Sequence, residues 1–184
     1  LLYFALSNIG KPFSYNNLAK SLGISTDTVK EYLSFAEQSY LLYSLMKYDP
    51  SVRKQIANLR KIYAIDTGLI NAVSFKFSED RGRLIENLIF MNLVKKEKEI
   101  FYHKENHECD FLIKEGQKIV EAIQVTTSLQ EELVKKREVK GLLEAMNFHN
   151  LKEGTIITEN EKDVILIEKK KIKIVPLYEW LEQF

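Results

Sequence analysis

ECDFLIKEGQKIVEAIQVT, Glu108 to Thr126, is the most informative run in the chain. It reads as two short strands, Cys109 to Ile113 and Lys118 to Thr126, joined by a tight turn at Lys114-Glu115-Gly116-Gln117. Gly116 supplies the residue that can take a positive φ in such a turn. Two polar residues stand where strands of this kind are apolar. Asp110 lies between Cys109 and Phe111, and Gln124 between Ile123 and Val125. A buried, unpaired carboxylate is strongly destabilising, so Asp110 is expected to be either exposed or functional.

Elements follow on both sides of this hairpin. Upstream, Arg83 to Lys96 has Leu84, Leu88, Met91 and Val94 on one side of a helix that also carries Glu86 and Asn87. Glu99 to His103 then reads as a strand. Downstream, Thr127 or Ser128 can cap a helix over Leu129–Asn147, with Leu133, Leu142, Leu143 and Met146 facing inward. Gly154–Thr158, Asp163–Glu168 and Lys171–Val175 read as strands. Pro176 opens a last helix, Leu177–Phe184, which Trp180 anchors. The order is helix, three strands, helix, strand, then further elements.

The front of the chain has a different pattern. Leu1–Ile9 reads as a helix ended by Gly10-Lys11-Pro12. Ser14 caps a second helix, Tyr15–Leu22, and Gly23 breaks it. Ser25 or Thr26 caps a third, which runs to Gln38 with Val29, Tyr32, Leu33 and Ala36 on one face. Tyr15 to Leu33 resembles a helix-turn-helix, with Leu18, Ala19, Leu22, Ile24, Val29 and Leu33 at its core positions. Strands at Tyr40–Tyr48 and Leu59–Ile65 then form a hairpin, completing the plan of a winged helix. Its connection carries Arg53, Lys54, Arg60 and Lys61, so the wing is the basic part. The third helix has one cation, Lys30, against Asp27, Glu31 and Glu37. That is poor in base-reading groups, and it leaves two readings: DNA contact through Lys30 and the wing, or a protein–protein spacer. Asp66 and Thr67 read as a helix cap and Val73–Ser78 as a loop.

Composition bounds the function loosely. The 184 residues are 45% hydrophobic with a net charge of +1. Residues 1–66 carry eight Lys/Arg and five Asp/Glu, and the remainder nineteen and twenty-one, so the front is mildly basic and the back mildly acidic. The one cysteine, Cys109, excludes an internal disulfide and fits a reducing, cytoplasmic setting. No run approaches the length of a membrane span. His103, His107 and Cys109 make only a weak His-x3-His-x-Cys pattern. The chain begins at Leu1 in mid-pattern and reads as part of a longer protein.

The 108–126 region resembles the core of the PD-(D/E)XK, or restriction-endonuclease-like, fold. In that fold an Asp on one strand and a Glu-x-Lys on the next hold a divalent metal and a water. The whole series resembles the C-terminal half of a prokaryotic family of AAA+-type P-loop ATPases. It runs from the winged helix through KIYAIDTGLINA, GRLIENLIF, ECDFLI and IQVT to IVPLYEWL. The resemblance implies a winged helix-turn-helix domain over 1–66. After it, over 67–184, comes a restriction-endonuclease-like αβββαβ domain with a mixed sheet, an α+β/α/β chain overall. ATP binding would lie in a part preceding Leu1, since no Gly-rich Lys-Ser/Thr loop is present.

The resemblance also implies a site. Glu86 matches the first-helix acid and Asp110 the strand acid; Gln124 and Thr126 stand where the family has Glu and Lys. Glu86, Asp110 and Gln124 would then be the catalytic, Mg²⁺-binding set, and Lys30, Arg53, Lys54, Arg60 and Lys61 the DNA-binding set. Gln124 removes a negative charge and Thr126 the cation that lowers the water's pKa. Glu121 lies on the opposite face of its strand from Gln124 and cannot replace the missing acid. Lys135 or Lys136 on the next helix is the candidate for the lysine role. These departures favour a degenerate, DNA-binding domain over a Mg²⁺-dependent nuclease. A module for self-association or a protein partner is the third reading.

Overall fold

The computed structural model describes residues 1–73 and 81–182. It is mixed α/β, and its chain divides into two compact units, Leu1–Asn92 and Leu93–Phe184. Among the described residues no helix is long and apolar enough to cross a membrane.

The first unit holds α1 (Leu2–Ser7), α2 (Tyr15–Leu22), α3 (Thr26–Gln38), β1 (Leu42–Met46), α4 (Val52–Ala57), β2 (Arg60–Ala64), α5 (Thr67–Val73) and the first part of α6 (Arg81–Lys95). The caps follow from the sequence. Ser14 Oγ accepts the Asn17 N–H and Ser25 Oγ that of Thr28, at 3.1 and 3.0 Å. Gly23, at φ +66°, ends α2 in the left-handed region that a side chain would disfavour. Leu18, Ala19, Val29 and Leu33 are buried where α2 and α3 meet. β1 and β2 form a two-stranded antiparallel sheet, with Leu42 opposite Ala64 and Met46 opposite Arg60. Both strands are shorter than expected, because the basic connection between them folds into α4. Phe13, just before α2, bridges Arg60 through two backbone hydrogen bonds of 2.8 and 3.0 Å.

The boundary expected at 66/67 falls inside this unit. The reason is physical: α5 packs on α1 and β2, and the Asn87 side chain of α6 binds both backbone groups of Ala64. Its Oδ1 accepts the Ala64 N–H at 2.8 Å and its Nδ2 donates to the Ala64 carbonyl at 2.9 Å. Thr67–Val73 forms a helix of two turns rather than the single turn expected from Asp66-Thr67-Gly68. The loop expected over Val73–Ser78 lies, from residue 74 onward, outside the described residues.

The second unit is built on a six-stranded mixed sheet in the order β3 (Glu99–Lys104), β4 (Glu108–Glu115), β5 (Lys118–Val125), β6 (Glu153–Thr158), β8 (Lys170–Pro176), β7 (Asp163–Ile167). β3–β4 and β4–β5 are antiparallel, β5–β6 and β6–β8 are parallel, and β7–β8 is antiparallel. The parallel step from β5 to β6 needs a crossover, and α7 (Glu132–Phe148) supplies it, packing on β4, β5 and β6. α8 (Leu177–Glu182) closes the unit with Trp180 buried. Cys109, Phe111, Leu112, Ala122, Ile123, Leu142, Ala145, Met146 and Ile156 are fully buried, so β4 and β5 are the centre of the core. Gly116 turns between them at φ +60°.

Gly141 fixes how closely α7 approaches β4: a Cβ there would stand 2.0 Å from the Glu108 carbonyl oxygen. α7 begins at Glu132 rather than Leu129, and neither Thr127 nor Ser128 caps it. Ser128 instead donates its hydroxyl to Glu161, which also accepts the Leu129 N–H. Leu133, expected inward, is 73% exposed, because the inward stripe of α7 runs through Glu138, Leu142, Ala145 and Met146.

Candidate functional site

In the second unit, Asp110 of β4 and Gln124 of β5 are brought side by side. Phe111 pairs with Ile123, so the preceding and following residues face each other on the next rung. Asp110 is 6% exposed and Gln124 5%. The Asp110 N–H donates to Gln124 Oε1 at 3.3 Å, and the Val125 N–H donates to Asp110 Oδ2 at 2.9 Å. The carboxylate is therefore stabilised by a backbone donor within the sheet.

A third member comes from α7. Glu138 is buried, and its Oε2 accepts the Gln124 Nε2–H at 2.5 Å. Its other oxygen accepts from Arg137 Nε at 2.9 Å and Nη2 at 2.5 Å. Arg137 itself stays 71% exposed. The amide of Gln124 thus joins the two acidic positions, accepting on the β4 side and donating on the α7 side, which an ionised carboxylate could not do. Thr126 is buried and gives its hydroxyl to the Ser128 carbonyl at 3.3 Å. The cation that reaches the cluster is Arg137, not Lys135 or Lys136; Lys136 pairs with Glu132 at the surface. Glu138 was missed in the sequence. The available signal was its position one turn before Leu142 on the inward stripe of α7.

Glu86 belongs to the first unit and is engaged there. Its Oε1 accepts from Lys61 Nζ at 3.1 Å and from the Tyr63 hydroxyl at 2.6 Å. Tyr63 is fully buried and stacks on Phe90 with ring centroids 4.1 Å apart. Lys61 is 1% exposed and so does not belong to a basic surface. β2 is buried on both faces, and the ammonium is tolerated inside because Glu86 offsets it. Glu86 therefore neutralises a core lysine, and Lys61 has no route to a nucleic acid.

The oxygens described around Asp110, Gln124 and Glu138 are turned toward N–H donors rather than toward a common point, so this set does not fit a Mg²⁺ ion. Among the described residues no group of three or more His, Cys, Asp or Glu is arranged to hold a metal. His103 Nε2 lies 3.1 Å from Glu144 Oε1, and Glu144 also accepts the His107 N–H. These contacts hold the Glu144 carboxyl below its usual range despite partial burial. Cys109 is buried with its thiol directed at the carbonyls of Ile123 and Phe111. Glu121, on the other side of β5, has its pKa raised by burial.

The remaining cations lie in the first unit. Lys30 is exposed and pairs with Asp27 at 3.2 Å. Arg53 and Lys54 are exposed on α4. Arg60 lines a cleft of about 270 Å³ between the start of α2, the start of α3 and the end of α4. Its guanidinium lies over the Tyr15 ring, 5.6 Å from the centroid.

Residues 1–80 match a family described as a domain of unknown function, DUF8612. The chain is similar to an uncharacterized protein of Methanocaldococcus jannaschii, 34% identical over 180 residues that cover 89% of this chain and 38% of that protein. It is also similar to an uncharacterized protein of Haemophilus influenzae, 21% identical over 196 residues that cover all of this chain and 45% of that protein. The chain spans less than half the length of the curated relatives it matches. No solved structure matches it at a significant level.

Proposed function

We propose that this chain is a nucleic-acid-binding region of a larger AAA+-type P-loop ATPase. In this reading a winged helix is followed by a restriction-endonuclease-like unit that no longer cuts. The observation that carries it is the Gln124 amide. At the position where the resemblance expects a metal-binding acid stands a group that donates to Glu138 and accepts from Asp110, tying the cluster to itself. The lysine position is Thr126, whose hydroxyl is engaged with Ser128. With the charge pair gone, the unit keeps a buried polar network that fixes β4, β5 and α7 but offers neither a metal cradle nor an activated water.

The order of elements in the first unit supports the winged-helix part. α1, the Phe13 bridge, α2, α3, β1 and β2 follow one another as that plan requires. Lys30, Arg53, Lys54 and Arg60 supply phosphate-directed charge, without the base-reading side chains that sequence specificity needs. The chain would therefore bind duplex DNA with little sequence preference. Titrating a labelled duplex of about 20 base pairs while following anisotropy tests this. Binding should be in the micromolar range near 50 mM salt and weaken steeply by about 200 mM. No binding at the lower salt sinks the reading. A second reading, protein docking through α3, is favoured by Tyr32, Phe35 and Tyr40, all more than half exposed. It predicts salt-insensitive association with a partner and no DNA binding.

A further inference from the structure

β7 is the outermost strand of the six-stranded sheet, bonded to β8 on one side and to no described strand on the other. Its residues, Asp163-Val164-Ile165-Leu166-Ile167, hold a single charge, at one end. Val164 is 51% exposed and Leu166 75%. β3, at the opposite edge of the sheet, instead has Phe101, Tyr102 and His103 buried. An open apolar edge offers its backbone donors and acceptors to another strand, and folded chains ordinarily blunt it with charge, proline or a bulge. β7 has neither a proline nor a register shift against β8.

The outward backbone groups belong to Val164 and Leu166. Opposed residues of an antiparallel pair alternate between exchanging hydrogen bonds and turning their backbone groups away from each other. Leu166 lies opposite Lys171, whose N–H donates to the Lys152 carbonyl at 2.9 Å, on the β6 side. Leu166 therefore stands at a turned-away position, and so does Val164 on the same face of the strand. The Val164 N–H agrees: it donates to Asp163 Oδ1 at 2.7 Å rather than to β8.

This edge is complementary to itself. Antiparallel pairing of two copies about Ile165 sets Val164 of each opposite Leu166 of the other, so the outward N–H and C=O groups of both strands find partners. The Val164 and Leu166 side chains then meet on one face, and Ile165 meets its own counterpart on the other. Just beyond the strand ends, Lys162 of each copy, now paired with Glu179 but largely exposed, comes beside Glu168 of the other. The neighbouring registers lose this match. Leu166 opposite itself sets Val164 against Glu168, a turn residue at φ +49°, and Val164 opposite itself sets Leu166 against Lys162.

We propose that β7 is a self-association edge: two copies of this chain join by antiparallel β7–β7 pairing centred on Ile165, running one sheet through both second units. Asp163 is its brake, because its carboxylate holds the Val164 N–H that the pairing uses. The pairing involves the second unit alone and needs no nucleic acid.

The test uses the whole 184-residue chain without DNA. Sedimentation equilibrium from about 5 to about 500 µM chain should show a reversible monomer–dimer equilibrium. Leu166→Lys, at an exposed site, should weaken the dimer by about ten-fold or more, because it sets an ammonium against Val164 of the other copy. Asp163→Ala should tighten it about ten-fold by freeing the Val164 N–H in each copy. Register is read by mild oxidation of cysteine variants, for which the native Cys109 is buried. Ile165→Cys should give a disulfide-linked dimer, its counterpart's Cα lying about 4.5–5.5 Å away. Ile167→Cys should not, because its counterpart is displaced by about 13 Å along the strand. The cross-links decide the matter if Leu166→Lys fails to fold. A chain monomeric throughout the range, a dimer indifferent to Leu166→Lys, no cross-link at Ile165→Cys, or equal cross-linking at Ile167→Cys would overturn the pairing. An affinity unchanged in Asp163→Ala would overturn the brake.

Discussion

Gln124→Glu restores the acid that the nuclease resemblance expects, and the structure says what it does to the fold. The new carboxyl oxygen replaces an amide nitrogen that lies 2.5 Å from Glu138 Oε2. Two full charges at about that distance repel by about 7 kcal/mol at an effective dielectric of about 20. Protonating one of them is cheaper. A glutamate with an ordinary pKa of about 4.3 is held neutral at about pH 7 for roughly 3.7 kcal/mol. The pair therefore takes up a shared proton. In that form the acid still donates to Glu138 and still accepts the Asp110 N–H, so the cost is mostly the protonation itself. The pKa is raised in the folded state, so between about 4.3 and that raised value the native chain binds one more proton than the unfolded one. Stability then falls by about 1.4 kcal/mol per pH unit as pH rises. The penalty should be about 1 kcal/mol near pH 5 and about 3–4 kcal/mol near pH 7. Urea unfolding followed by Trp180 reads this directly, since the chain's one tryptophan is buried in the second unit. With m near 1.5 kcal/mol/M, the midpoint near pH 7 drops by about 2–3 M. A variant as stable as the parent near pH 7, or a penalty independent of pH, would refute the contact between Gln124 and Glu138.

Gly141→Ala should destabilise the second unit by about 3 kcal/mol, near the top of the overpacking range, because its methyl meets backbone rather than a movable side chain. A thermal midpoint unchanged from the parent would contradict the α7–β4 approach. Asn87→Leu should leave the N–H and carbonyl of the fully buried Ala64 without partners and remove about 2–4 kcal/mol. Amide exchange at Ala64 should accelerate accordingly. Burial, reinforced by the neighbouring His103, lowers the His149 pKa to about 4. The unfolded chain thus binds the extra proton between about pH 6.5 and 4, and stability present above about 6.5 is lost as pH falls through that window. For a half-exposed ring that contribution is about 1 kcal/mol. His149→Gln should flatten that part of the profile, with Glu144 and His103 left to titrate; an unchanged profile would remove His149 from the account.

The order of elements was legible because period and punctuation agree. Ser14, Gly23 and Ser25 bracket the α2–α3 pair, and the apolar runs of β4 and β5 speak plainly; α6 was legible as a helix but its inward face was not, since Leu88 is exposed while Ile85, Ile89 and Leu93 are buried. Contacts between distant segments were not legible. Nothing near Asn87 in sequence says that its amide will serve as a partner for Ala64, yet that bond moves the boundary between units past residue 66. Lys61 and Glu86 illustrate the same limit. Each looks functional as a lone charge in an apolar stretch, and each owes its place to the other. Asp110 and Gln124 stood out as polar residues inside apolar strands, and the sheet sets them side by side. Glu138, buried between Gln124 and Arg137, was hidden because a glutamate on a Lys-rich helix ordinarily reads as a solvated charge.

The most direct test of the central claim uses one labelled duplex, incubated with the chain near 50 mM salt with about 10 mM Mg²⁺ or with chelator, and resolved on native and denaturing gels. The account predicts a retarded complex in both conditions and full-length strands in both. Mg²⁺-dependent cutting that disappears in Asp110→Ala would contradict it.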